Sequence, residues 1–178
     1  MIKVYVFVVG FFFTKRRCCE MINELRIMEA ANQARILVYQ LFPIDPILIA
    51  KAMGLEVFTA ALPRNVSGQI FYKEKKIFVE QTDFITRQTF SVAHELGHFI
   101  LHNDGTSHTS LRDTTATQGI DTKEIEANCF AANLLMPKDE VLRLVGLNFA
   151  VDSMASYFGV SPIAMEYRLN NLGVFAYV

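Results

Sequence analysis

Apolar positions recur with a helical period from Met21 to Phe42, in MINELRIMEAANQARILVYQLF, and the pattern breaks at Pro43. Asp45 followed by Pro46 reads as an N-cap and a first helical position, so a short second helix is predicted, closed by Gly54. The period then changes. LEVFTA, GQIFY and KIFVEQ are short stretches rich in β-branched and aromatic residues. Pro63, Asn65, Ser67, Gly68 and the lysine-rich run 73–76 punctuate them, which predicts a small antiparallel three-stranded sheet. A helical pattern returns from about Thr86 to His102, with Thr82 or Asp83 available as its cap, and again from near Asp121 through TKEIEANCFAANLLMP to Pro137. The chain ends on Val151 to Phe158, a Gly159-Val160-Ser161 turn and Pro162 to Leu172: helix, tight turn and helix, with Ser161 capping the second.

Two stretches fall outside these periods. From Asn103 to Gly119 the chain is dominated by Thr, Ser, Asp and Gly, too long for an ordinary connection, and reads as mobile or as a functional loop over a cleft. The first twenty residues carry an apolar run, Val4 to Phe13, about half the length needed to cross a bilayer. The main positive cluster, Lys15-Arg16-Arg17, follows that run, so neither a secretory signal nor a stable membrane anchor is expected. The expected organisation is an apolar extension over 1–20 and a single domain over 21–178.

Composition narrows the function classes. With 52% hydrophobic and 20% charged residues and a net charge of -1, the chain has no basic excess for neutralising phosphates. The terminal helix pair could otherwise be read as a DNA-binding unit, but its second helix holds one arginine, Arg168, and one glutamate, Glu166. DNA binding is therefore not expected, and packing or partner binding is. Cys18, Cys19 and Cys129 form no disulfide framework, which points to a reducing compartment, the cytoplasm.

The chemistry is concentrated in His-Glu-Leu-Gly-His at 94–98. Residues four apart share a helix face, so His94 and His98 can offer two imidazole nitrogens to one Zn²⁺, while Glu95 beside them can take a proton from water. Catalytic zinc sites generally use a third protein ligand. Glu124 and Glu126 are the candidates, and at about 200° apart on a helix they cannot both face one metal. Glu124 shares its face with Asn128, an amide able to orient a ligand histidine, which favours Glu124. An oxyanion donor cannot be chosen among His102, His108, Tyr72 and Tyr157, and Cys129 reads as a small buried hydrophobe. The KIFVEQ strand, if it forms a sheet edge beside the cleft, would let an extended peptide add to the sheet.

FSVAHELGHFILH at 90–102, EIEANCFAANLLMP at 124–137 and ASYFGVSPIAMEYRLNNLG at 155–173 together resemble the ImmA/IrrE family of zinc metallopeptidases. The resemblance implies an α+β fold. In it a small antiparallel three-stranded sheet packs on a zincin-like helical core, made of the HExxH helix and the Glu-bearing helix, with helix-turn-helix-like helices at the C-terminus. It implies His94, His98 and Glu124 as ligands of one catalytic zinc ion, Glu95 as general base and Asn128 as a supporting residue beside the ligands. Thermolysin-like enzymes carry aspartate where Asn128 stands. The implied activity is cleavage of a regulatory protein, a helix-turn-helix repressor of a phage, mobile element or stress regulon. A non-cleaving, metal-containing partner that sequesters a repressor, in the manner of a toxin-type regulator, is the alternative from another class.

Overall fold

The computed structural model describes residues 24–102, 108–111 and 121–174; the apolar extension over 1–20 and most of the polar stretch 103–119 lie outside them. Seven helices and four strands occur among the described residues. The first helix, α1 (Glu24–Ile36), is shorter than its apolar period: it unwinds before Tyr39, which takes a φ of 44°. Next comes α2 (Pro46–Ala52), whose cap is as expected, Asp45 accepting a hydrogen bond from the Ile47 amide. Strands β1 (Glu56–Ala60), β2 (Val66–Phe71) and β3 (Lys76–Glu80) follow, then the long helix α3 (Ile85–His102).

The fold class is the expected α+β arrangement, but the sheet differs from the expected three-stranded antiparallel one. It has four strands in the order β1-β3-β2-β4, and β1 pairs with β3 in parallel. Successive strands reverse direction, so β3, inserted between β1 and β2, must run with β1 and against β2. Residue alternation is identical for this order and for a simple meander. The fourth strand, β4 (His108–Leu111), comes from the polar stretch that carries no strand period; it pairs antiparallel to β2, and Gln69 Nε2 donates to Thr109 Oγ1 at 3.0 Å. Consequently KIFVEQ is no edge. β3 is hydrogen-bonded on both sides, leaving no open ladder there for an added peptide.

Below the sheet, α3 packs against α4 (Thr122–Leu135), which begins on Asp121 as an N-cap accepting from the Lys123 amide. Their shared core joins Val92, Ala93 and Leu96 of α3 to Ile70, Ile77 and Val79 of the sheet and Phe130, Ala131 and Leu134 of α4, all buried. Burying each of the larger side chains stabilises the fold by about 1.5–3 kcal/mol. The two helices approach closely because position 97 is glycine. A Cβ there would stand 3.0 Å from Ala127 Cα and 3.1 Å from its carbonyl oxygen.

Three short helices follow among the described residues: α5 (Lys138–Gly146), α6 (Val151–Phe158) and α7 (Pro162–Asn171), the last capped by Ser161 as its sequence predicts. Arg168 of α7 is 5% exposed. It donates from Nε to the Met136 carbonyl at 2.9 Å and from Nη2 to Asn133 Oδ1 at 2.7 Å, satisfying groups at the end of α4. The one arginine of that helix is thus a structural clamp facing inward. On α6, the Tyr157 hydroxyl donates to Glu140 Oε1 at 2.6 Å. Hydrogen bonds from Arg143 and Tyr157 together hold the Glu140 carboxyl down to about 2.

Between α6 and α7, Gly159 takes a left-handed φ of 67°, and a Cβ on it would stand 2.9 Å from Pro43 Cβ. Gly159→Ala therefore meets backbone strain and a clash together, and is expected to cost about 2–4 kcal/mol in urea unfolding. Gly146→Ala provides the control. A Cβ at that helix end meets nothing within 4 Å, so the change should be neutral or slightly stabilising.

Candidate metal centre

The centre is built where α3 and α4 cross. Positions 94 and 98 are one turn apart on α3, and both rings point at α4: His94 is 5% exposed and His98 fully buried. Their Nε2 atoms lie 3.0 Å apart. From the first turn of α4, the Glu124 carboxylate reaches the same point, with Oε1 3.0 Å from His98 Nε2 and Oε2 3.4 Å from His94 Nε2. Among the described residues these three form the group able to hold a metal ion.

Their donor atoms suit a cation. Ligands held about 2.0–2.1 Å from a tetrahedral zinc stand roughly 3.3–3.4 Å from one another, close to the separations here. Proton placement agrees. His94 Nδ1 lies 3.0 Å from Asn128 Oδ1, and an amide oxygen only accepts, so Nδ1 carries the proton and Nε2 keeps its lone pair. Two imidazole nitrogens and a carboxylate converging in a buried position are what a shared metal ion would satisfy.

Glu126 is directed elsewhere, as its angular position on α4 requires. Its Oε2 lies 3.4 Å from Arg26 Nη2 and 3.2 Å from His102 Nε2, tying α1, α3 and α4 together beside the centre. Glu95 points to the sheet and is completely buried against β2. Of the four candidate oxyanion donors, Tyr157 has its hydroxyl committed to Glu140, and His102 lies against Glu126. Tyr72 stacks on Phe99 with ring centres 6.1 Å apart, and the side chain of His108 lies outside the described residues.

One residue at the centre went unread in the sequence. Gly68 lies on β2 directly against the Glu95 carboxylate, where sequence patterning makes it look like turn punctuation. A separate pocket of about 180 Å³ lies between α2, β1 and the start of α3; it is lined in part by Phe58, Val79 and Val92 and includes none of the centre's residues. No helix among the described residues is long and apolar enough to cross a membrane.

Comparison with known proteins matches this region. The peptidase M78 family, described as the IrrE N-terminal-like domain, matches residues 50–170. Uncharacterized immunity region protein 2 of Bacillus phage phi105 is 30% identical over 138 residues, 75% of this chain and 84% of that protein. Metallopeptidase ImmA of Bacillus subtilis (strain 168) is 28% identical over 95 residues, 52% of this chain and 54% of that one. A solved Mycobacterium tuberculosis transcriptional regulator shares the fold, with a TM-score of 0.60 at 20% identity, over 89% of this chain and 51% of that structure.

Proposed function

The chain belongs to the IrrE N-terminal-like family of ImmA/IrrE-type metallopeptidases, and from that premise we propose that it is a zinc-dependent endopeptidase acting on a regulatory protein in the cytoplasm. The observation that carries this reading is the convergence of His94, His98 and Glu124 on one point, with a fully buried Glu95 between the two histidines on the same helix. His94, His98 and Glu124 would hold a single zinc ion. When bound, that ion supplies a Lewis acid that polarises the scissile carbonyl and acidifies water.

The chain's own residues account for the rest. Asn128 fixes the His94 ring and its tautomer, though as a neutral amide it supports the imidazole less strongly than a carboxylate would. Glu95 is not among the three converging donors; it follows His94 on α3, and its role is that of a base that takes a proton from the attacking water at its carboxylate. Returning that proton to the departing amine nitrogen completes the peptide cleavage.

The substrate is inferred by kinship. A relative named for a phage immunity region and another named Metallopeptidase ImmA support a target in phage or mobile-element control, namely a helix-turn-helix repressor. The direct test is to incubate the purified protein with any helix-turn-helix repressor found encoded beside it. Cleavage should stop on chelation and return with one equivalent of Zn²⁺; cleavage that persists after full metal removal rules the mechanism out.

A further inference from the structure

We propose that Gly68 is the positioning residue for Glu95: a side-chain-sized notch in β2 that sets where the base carboxylate sits. This rests on the peptidase reading for its consequence in turnover, but not for its steric content.

A Cβ built on Gly68 would stand 2.5 Å from Glu95 Oε1 and 3.2 Å from both Cδ and Cγ. Ordinary carbon–carbon contact is about 3.5–4.0 Å, so the Glu95 side chain occupies the volume that any other residue at 68 would fill. Backbone conformation does not explain the glycine. Its φ is outside the left-handed region, unlike those of Gly54, Gly159 and Gly173, so no turn demands glycine here.

Of the two partners, the Glu95 side chain is the one that gives, because Gly68 is fixed in the sheet backbone. Glu95 is fully buried on a helix packed between the sheet and α4. Gly68 is held on both sides of its strand, opposite Val79 of β3 and Ser110 of β4. An irregularity marks the same place: from Val66 to Gly68 the strand advances two residues while its β4 partner advances one, from Leu111 to Ser110. Such bulges locally bend a strand and re-aim what it presents. A methyl at position 68 must therefore move the carboxylate, and a displacement of about 1 Å at a reacting group is enough to slow chemistry about 100-fold.

Two cycles test the proposal on the zinc-loaded full chain. In thermal unfolding, Gly68→Ala should lower Tm by about 2–10 °C, and the same change in a Glu95→Ala background should cost nothing, because the colliding atoms are gone. Equal losses in both backgrounds overturn the proposal. If Gly68→Ala alone does not fold, recovery of folding in Gly68→Ala/Glu95→Ala supports it and failure to recover overturns it. In turnover, Gly68→Ala should lower kcat with KM and zinc content unchanged, and should have no further effect in Glu95→Gln. A wild-type kcat, or an undiminished additional loss in Glu95→Gln, overturns it. Should the wild-type chain prove inactive on every repressor tried, the peptidase reading fails while the unfolding cycle still decides the steric claim.

Discussion

Glu95→Gln is expected to leave zinc content and repressor binding at wild-type levels while lowering kcat for cleavage by about 10²–10⁴-fold, the usual worth of a positioned general base. Glutamine has the shape of glutamate, so it fits the same buried space against Gly68. None of the three converging donors, His94, His98 and Glu124, is altered. What disappears is the ability to take and return a proton. The measurement pairs single-turnover cleavage with elemental analysis of the same preparation. It also separates catalysis from sequestration. A protein that inactivates its partner by holding it has no use for a base, so an unchanged rate of repressor inactivation by Glu95→Gln would establish the non-cleaving alternative.

The sequence made the centre legible to the extent that chemistry and local periodicity coincide. His94, Glu95 and His98 lie within five residues on one helix, and helical geometry alone separates Glu124 from Glu126. Asn128 follows from the same periodicity, one turn beyond Glu124, and it does meet His94. Features that depend on pairing between distant segments were not legible. The strand at His108–Leu111 forms because β2 offers it a ladder, and its own residues read as loop. Parallel pairing of β1 with β3 is a choice of neighbour that alternation cannot encode. Gly68 looks like a turn residue until Glu95, 27 positions away, is placed against it. Arg168 counts in the sequence only as too little charge for DNA, and its contacts with Met136 and Asn133 show it to be an internal clamp.

Glu124→Gln should weaken zinc binding by more than about 100-fold, beyond the 10–100-fold typical of losing a group that merely supports a ligand. The substitution removes the anionic member of the donor set and leaves two imidazoles, which alone hold zinc weakly. Glu126→Gln is the matched control, changing the same chemistry two residues along the same helix. It should keep zinc at wild-type stoichiometry, and any loss of stability should come from its contact with buried His102, because its pairing with half-exposed Arg26 is largely screened by solvent. Competition with a chromogenic chelator reads both affinities on one scale. Because the two carboxylates are about 200° apart around α4, they cannot trade places without rotating the helix. Gly97 lets that helix pack closely on α3, where a Cβ at 97 would stand 3.0 Å from Ala127 Cα. Zinc lost from Glu126→Gln and kept by Glu124→Gln would therefore reject the crossing of α3 and α4 described above, and with it the His-His-Glu centre.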